Sequence, residues 1–267
     1  MENQLFILFK ISLTQILGIF GVFFVFGYVL SQLQRYIHKQ YMQSVGWKGI
    51  LWTGIIGTPI HEIGHYIFAK LFLHRIEKVS LFKPNKETGG LGHVNHSYHK
   101  KSIFQNIGNF FIGAAPLIFG SGVLYLLFRF FLSGSSAMFD LLRSTDLTSF
   151  NSIWISVRQV GSIFLSAFDA SSWKWWLFLY LSFAVSSHLA PSKQDQKGMW
   201  SGFIWIVCII IIINTIALFA QSNITSSVLG LSQYLRFLTA IFLYATFVSV
   251  LHFLIASIIL FPFRKKK

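Results

Sequence analysis

The sequence predicts an all-α protein that crosses a membrane several times. Hydrophobic residues make up 54% of its 267 residues and charged residues only 11%, whereas soluble domains average about 25% charged residues. The mean hydropathy is +0.61, and aromatic residues, including 30 Phe, form 18% of the chain. Six apolar runs are long enough for a helix to cross a bilayer. Together these observations favour a polytopic membrane protein of about six transmembrane helices.

The six predicted spans belong to one integral membrane domain, which we place over residues 1–267. The first run is too long for the apolar core of a signal peptide, so it is expected to be a retained helix. The fourth is close to the lower length limit for a crossing. The spans run approximately Leu5–Leu30, Gly49–Phe72, Ile107–Phe131, Trp173–Leu189, Met199–Ala220 and Phe237–Phe261.

The formal net charge of +14 does not indicate nucleic-acid binding. Lys and Arg cluster between the apolar runs and at the C-terminus, as charges that flank membrane spans do. No DNA- or RNA-binding signature accompanies them. The single cysteine, Cys208, excludes a disulfide framework and a Cys-based zinc site within one chain. We therefore expect a lipid bilayer, and no nucleic acid, as the surroundings of this protein.

The distribution of positive charge predicts the orientation of the spans. The basic tail 264–267 is expected to be cytoplasmic. Counting back through six spans places His74–Asn106 and the Pro191–Gly198 turn on the same side, and both segments contain lysines. The same count places Ser31–Lys48 outside, although that segment contains three basic residues.

The second span contains an HExxH motif, His61-Glu62-Ile63-Gly64-His65. On a helix, two histidines at positions i and i+4 project from one face, one turn apart, as two ligands of a tetrahedral zinc ion require. The intervening glutamate can take a proton from the water that such an ion activates. Charged and metal-binding side chains are costly in hydrocarbon, so a metal site explains them better than chance.

The segment after this span is not typical of a helix. Val79–Phe82 forms a short β-like run, Gly89 and Gly90 supply a turn, and Leu91–His96 forms a second run. Two short runs around a glycine-containing turn predict a small cytoplasmic β-hairpin after the HExxH helix. The edge of such a hairpin could hold an extended peptide through backbone hydrogen bonds.

A zinc site of the catalytic type needs a third protein ligand. The chain has only eight acidic residues, and most lie at the N-terminus, in the outer segment or among the lysines of the hairpin. Asp195, after the fourth span, remains as the candidate. His188 is the main alternative, and the weaker alternatives in the hairpin region are His93, His96 and His99.

The third span begins with two asparagines, Asn106 and Asn109, that could hydrogen-bond a substrate near the metal. An asparagine at a helix start is equally well explained as an N-cap. Gly108, Gly113 and Ala114 would allow neighbouring helices to approach this span closely.

In this order, the motifs resemble the site-2 protease family of intramembrane zinc metallopeptidases. The similarity covers roughly residues 49–200 and leaves the first span and the last two outside that core. It rests on the HExxH motif inside a span, the hairpin-like segment, the Gly113–Leu117 run and an aspartate after a later span. The chain departs from the family pattern because Asp195 is followed by Gln196 and not by glycine.

The resemblance implies a zinc metalloprotease of the membrane, with His61, His65 and Asp195 as Zn²⁺ ligands and Glu62 as the catalytic base. Its implied substrate is a single-span membrane protein or a cleaved stub of one, processed in regulated intramembrane proteolysis or in membrane clearance. The expected location is a bacterial cell membrane, with the active site near the cytoplasmic face.

Two other functions remain open at this point. Intramembrane His and Glu also occur in ion pathways, so the same residues would suit a zinc or proton transporter. A transporter predicts further polar residues along several spans, and the last two spans contain few. A catalytically inactive membrane scaffold is the third possibility, although it would not need to retain Glu62.

Overall fold

The computed structural model describes residues 4–132, 135–144, 150–220 and 232–264. Within these residues the fold is predominantly helical and contains one small antiparallel sheet, as the sequence predicted. The helices are α1 Gln4–Ser44, α2 Trp47–Leu71, α3 Ile103–Phe131, α4 Ser135–Ser144, α5 Phe150–Ser166, α6 Trp173–Ser186, α7 Lys193–Phe219 and α8 Ser232–Leu260. The strands are β1 Arg75–Ser80 and β2 His93–Ser97.

Four stretches of these helices are long and apolar enough to cross a membrane. They are Gln4–Ser44, Ile103–Phe131, Lys193–Phe219 and Leu235–Phe263. The helices α2 and α6 also occur where spans were predicted, but neither is among these four. Helix α6 has only 14 residues, and α2 contains the polar residues of the HExxH motif. The membrane class is therefore supported, whereas the number of six spans stays a prediction.

The ends of α1 and α8 lie side by side, which corrects the predicted orientation of the first loop. Helix α1 continues to Ser44, whose hydroxyl donates to the carbonyl oxygen of Leu260 near the end of α8 (3.2 Å). One turn earlier, the Gln40 amide donates to the Ser257 hydroxyl (2.6 Å). The two helices run in parallel, so Ser31–Lys48 cannot lie on the side opposite to the end of α8. The prediction was wrong because it assumed a strict alternation of six crossings.

Aromatic packing joins α1, α3, α7 and α8 in the centre of the bundle. Phe110 is fully buried and makes edge-on contacts with Phe20 and Phe23, at centroid distances of 5.3 and 5.6 Å. Phe23 also contacts Phe242 of α8, and Phe20 contacts Phe203 of α7. Offset and edge-on aromatic pairs add to the energy of area burial. The phenylalanines thus fix how these helices pack beside the polar cleft described below.

The predicted hairpin is present immediately after α2. Val79 pairs with Val94 and Ser80 with His93 in antiparallel register, and the register shifts between Ile76 and Lys78. The first strand begins at Arg75 and ends at Ser80, so it lies earlier in the chain than the predicted run. The structure therefore confirms the small sheet and moves its first boundary.

The segment between α6 and α7 is shorter than the predicted Pro191–Gly198 turn. Helix α7 begins at Lys193, with Ser192 as its N-cap. The Ser192 hydroxyl accepts from the backbone N–H of Asp195 (3.2 Å), and the Asp195 carboxylate accepts from the N–H of Ser192 (2.7 Å). This reciprocal pair is a capping box. Asp195 is therefore held in the first turn of a helix and does not lie in a loop.

Candidate metal centre

The two histidines of the HExxH motif are oriented by backbone carbonyl groups of the segment after α6 and of α3. His61 Nδ1 lies 2.7 Å from the carbonyl oxygen of His188, and His65 Nδ1 lies 2.8 Å from that of Ile112. A carbonyl oxygen can only accept, so each Nδ1 must carry the proton that is donated. In the neutral imidazole, Nε2 then has a free lone pair. Both rings consequently present their metal-binding nitrogens to the same point.

Asp195 is the third group at that point. Its Oδ1 lies 3.3 Å from His65 Nε2 and its Oδ2 lies 3.7 Å from His61 Nε2, while the two Nε2 atoms are 3.1 Å apart. Among the residues that the structure describes, this is the one group of three metal-binding side chains with such spacing. The capping box on Ser192 and the packing of α7 on α3 fix the carboxylate in this position.

The donor set fits zinc by distance and by chemistry. Two donors on a tetrahedral zinc ion with bonds of about 2.0–2.1 Å are separated by about 3.3 Å, close to the three separations found here. Two imidazole nitrogens and a carboxylate are ordinary zinc ligands. The Nε2 lone pairs of two neutral imidazoles and the negative charge of a carboxylate repel one another unless a cation lies between them. The three side chains could therefore hold a metal ion, and their spacing fits Zn²⁺.

Close approach of α7 to α3 depends on Gly113. A Cβ at this position would collide with the backbone carbonyl oxygen of Asp195 and with Met199, one turn later on α7. Any larger residue would therefore push the first turn of α7, and with it the Asp195 carboxylate, away from the histidines. The sequence indicated a small residue for packing at Gly113, and the structure shows which helix it accommodates.

A cleft of about 1000 Å³ surrounds these three groups. The hairpin and α3 form two of its walls, and the start of α7 forms a third. The remaining wall comes from α1, through Gln34, Arg35 and His38. This is a polar space among apolar helices, which is where water and an extended polypeptide backbone can be accommodated.

Glu62 lies in the same cleft and is buried, with 6% of its surface exposed. Gly92, just before β2, packs directly against it, and a Cβ at Gly92 would lie 2.9 Å from the Cγ of Glu62. The hairpin therefore covers the glutamate on one side. A carboxylate next to the cation site and shielded from bulk solvent is suited to accepting a proton from a water molecule there.

The two predicted substrate-binding asparagines are in different places. Asn109 lines the cleft, and its buried Nδ2 has no hydrogen-bond acceptor among the residues described. Asn106 is buried away from the cleft lining, and its amide donates to the carbonyl oxygens of Lys100 and Ser102 (both 2.7 Å). The structure thus brings Asn109 to the site, whereas Asn106 ties the start of α3 to the preceding loop.

The alternative third ligands do not join the two motif histidines. His188 Nδ1 donates to the carbonyl oxygen of Ala184 (3.1 Å), and its own carbonyl supports His61. His93 lies in the cleft wall formed by β2, without joining the group of three. His96 is hydrogen-bonded to His74, and the backbone N–H of His99 donates to the Gln105 side chain.

The contribution of α1 was missed by the sequence analysis, which left the first span outside the core region 49–200. Ser31, Gln34, Arg35 and His38 all line the cleft. The Gln34 Oε1 accepts from the N–H of Ala190 (3.0 Å), which anchors the segment before α7. These four residues have the spacing i, i+3, i+4 and i+7 of one helix face. That spacing was a usable signal, but the predicted span ended at Leu30.

A histidine pair outside the membrane-spanning helices holds the hairpin against the protein. His74 Nε2 donates to the carbonyl oxygen of Gln105 (2.9 Å), so its Nδ1 accepts from His96 Nδ1 (2.9 Å). Burial lowers the pKa of His96 to about 4, and it also lowers the pKa of His74. Both rings are therefore neutral at pH 7, as this hydrogen bond requires.

The chain matches no family model, no curated protein sequence and no solved structure.

Proposed function

We propose that this protein is an intramembrane zinc metalloprotease that hydrolyses peptide bonds in transmembrane or membrane-proximal segments. One observation carries the proposal: the donor atoms of His61, His65 and Asp195 converge to separations of 3.1, 3.3 and 3.7 Å, beside Glu62, in a polar cleft among apolar helices. The resemblance to the site-2 protease family supports the same assignment. The absence of any similarity match leaves the geometry of the site as the main support.

Each group has a definite task in the proposed reaction. His61, His65 and Asp195 would hold Zn²⁺, which when bound lowers the pKa of water and polarises a carbonyl group. Glu62 accepts the proton of the attacking water and delivers it to the amine that leaves. The Asn109 amide has no acceptor among the described residues, lines the cleft and would hold a carbonyl oxygen of the substrate backbone. The backbone carbonyls of His188 and Ile112 keep both imidazoles in the ligating tautomer.

The proposed substrate is a single-span membrane protein or a membrane-bound stub. A transmembrane helix must unwind before its peptide bonds can be hydrolysed. The second strand of the hairpin lines the cleft, so its edge could hold the unwound segment by backbone hydrogen bonds. Replacing Val94 by proline removes one backbone donor from this strand. Unchanged cleavage by the Val94→Pro protein would remove the hairpin edge from the proposal.

We place the cleft near the cytoplasmic face of a bacterial cell membrane. The ends of α1 and α8 are adjacent, so Arg35, Lys39 and Lys48 lie at the same end of the bundle as Arg264. Clusters of Lys and Arg favour the cytoplasmic side. Arg35 also lines the cleft, which ties the site to the basic end of the protein.

The test compares the wild type with Glu62→Gln after purification in detergent. Bound zinc is measured by elemental analysis, and cleavage is measured on a panel of single-span membrane proteins in liposomes. Both proteins should retain zinc, and only the wild type should cleave. Glu87→Gln is the matched control, because it makes the same change at an exposed glutamate of the hairpin loop and should leave both properties unchanged.

The remaining outcomes separate the alternatives. Cleavage by Glu62→Gln at the wild-type rate would contradict the role of Glu62 as base. Folded wild-type protein that binds no zinc would overturn the metal centre itself. Zinc retention without cleavage of any substrate, together with zinc flux into liposomes, would favour the transporter.

A further inference from the structure

A second pair of histidines, His38 of α1 and His188 after α6, lines the same cleft. Their ring centroids are 5.3 Å apart with an interplanar angle of 54°, against 4.9 Å and 67° for His61 and His65. Two imidazoles that share one tetrahedral ion, with metal–nitrogen bonds of about 2.0–2.1 Å, have centroids about 5 Å apart. The spacing of this second pair is therefore that of two ligands of a common ion.

Each ring has a buried nitrogen, Nε2, that lacks a hydrogen-bond partner among the described residues. His188 Nδ1 donates to the carbonyl oxygen of Ala184, which leaves its Nε2 as an acceptor. The His38 ring lies near the backbone of Ser187, and its Nε2 has no hydrogen-bond partner among the described residues. Both Nε2 atoms are buried. A buried polar atom without a partner is costly, so each nitrogen needs a ligand from the cleft.

The third histidine pair shows what a satisfied arrangement looks like. His74 and His96 have nearly the same centroid separation, 4.9 Å, but they hydrogen-bond each other directly, Nδ1 to Nδ1 at 2.9 Å. His38 and His188 make no such bond within the part of the chain that the structure describes. The distance between the rings is therefore similar in the two pairs. What distinguishes His38 and His188 is that each has an Nε2 without a hydrogen-bond partner among the described residues.

A hydroxyl group without a partner also borders this part of the cleft. Thr58 Oγ1 is buried without a partner among the described residues and lines the cleft. A Cβ built at Gly54 would lie 3.5 Å from both Thr58 Oγ1 and His188 Nε2, so the two atoms face the same small space. Imidazole nitrogens suit zinc, copper and nickel more than magnesium or calcium.

We propose that His38 and His188, with the Thr58 hydroxyl nearby, form a second binding site for a divalent transition-metal ion, separate from the site of His61, His65 and Asp195. Both of its histidine ligands are neutral and it contains no carboxylate, so it binds zinc more weakly than the first site. The two sites are adjacent, because the carbonyl oxygen of His188 accepts from His61. The proposal does not depend on peptide hydrolysis, and measurements of metal binding are sufficient to test it.

The test is the stoichiometry of zinc binding to the full-length protein in detergent, measured by equilibrium dialysis against free Zn²⁺ and elemental analysis. The wild type should bind two equivalents, and His38→Ala should bind one. A double variant with His61→Ala and His65→Ala should also keep one equivalent, which disappears when His38→Ala is added. His99→Ala, which changes a histidine outside the cleft, should bind two equivalents and controls for adventitious surface binding.

Cobalt provides a second readout that does not depend on counting. Co²⁺ bound to the double variant should give visible absorption bands of a nitrogen-ligated ion, and His38→Ala should abolish them. Circular dichroism of each zinc-free variant checks that the helices remain folded. One equivalent in the wild type at saturating zinc would overturn the proposal, as would two equivalents in folded His38→Ala. In either case water in the cleft would satisfy the two nitrogens.

Discussion

Replacing Gly113 by alanine should weaken zinc binding at the metal centre, although none of the three proposed ligands is changed. Alanine is the better helix former by roughly 1 kcal/mol, so propensity alone predicts that Gly113→Ala stabilises α3. In the folded protein, however, the added Cβ would collide with the carbonyl oxygen of Asp195, and Met199 Cγ would lie only 2.5 Å away. The two effects have opposite signs, and the structure decides between them.

The size of the displacement follows from van der Waals contact. Non-bonded carbon atoms come to rest at roughly 3.5–4.0 Å, so the first turn of α7 must move by about 1 Å. Asp195 would move with it, away from His65 Nε2, which now lies 3.3 Å from its Oδ1. Zinc sites tolerate deviations of only about 0.2 Å in bond length. A misplacement of about 1 Å costs on the order of 100-fold in rate, or about 2.7 kcal/mol of transition-state stabilisation.

The assay is zinc affinity by competition with a chelator, followed by cleavage of a membrane substrate identified with the wild type. Gly113→Ala should bind zinc at least about tenfold more weakly, a loss typical of disturbed metal-site support. Gly122→Ala is the control, because it lies on the same helix and its added Cβ meets no atom within 4 Å. It should retain wild-type affinity and gain thermal stability. Wild-type zinc affinity in Gly113→Ala would refute the reasoning.

Three further predictions concern the supports of the site. Ser192→Ala removes the N-cap of α7, so it should cost about 1 kcal/mol of stability and also weaken zinc binding. Ser102→Ala, at the N-cap of α3, should lower stability without changing zinc affinity. Equal zinc affinity in the two variants would contradict this prediction. Asn214→Leu should lower the thermal midpoint in detergent by removing the two hydrogen bonds between the Asn214 and Gln15 amides (2.9 and 3.2 Å), at a cost of roughly 1–2 kcal/mol. Thr215→Val is the control and should have little effect, because the Thr215 hydroxyl donates to a carbonyl oxygen of its own helix. The hairpin should lose stability as the pH falls from 6.5 towards 4, because the pKa of His96 is about 4 when folded and the unfolded strand binds the proton more tightly. Amide exchange of β1 and β2, corrected for pH, would measure this. His96→Gln should reduce the dependence and leave the part that is due to His74, whose pKa is also lowered by burial.

The amino-acid sequence by itself determined the membrane class, the position of the HExxH motif on a helix and the hairpin that follows. These features depend on local composition, on the i, i+4 spacing of His61 and His65 and on glycine-rich turn chemistry. Each is set by residues close together in the chain, so it can be read without knowledge of the fold. Asp195 could be proposed by elimination because the chain has so few acidic residues.

Only the tertiary structure decided which groups meet. Asp195 is 130 residues from His65 in the sequence, and its approach depends on Gly113 of a third helix. The same holds for His38, which lies in the continuation of α1 beyond the predicted span and faces the cleft because α1 packs beside α8. Long-range packing among apolar helices has no sequence signature of comparable strength, since lipid-facing and helix-facing residues are equally hydrophobic. The local motif could therefore be predicted from the sequence, whereas the cleft around it could not.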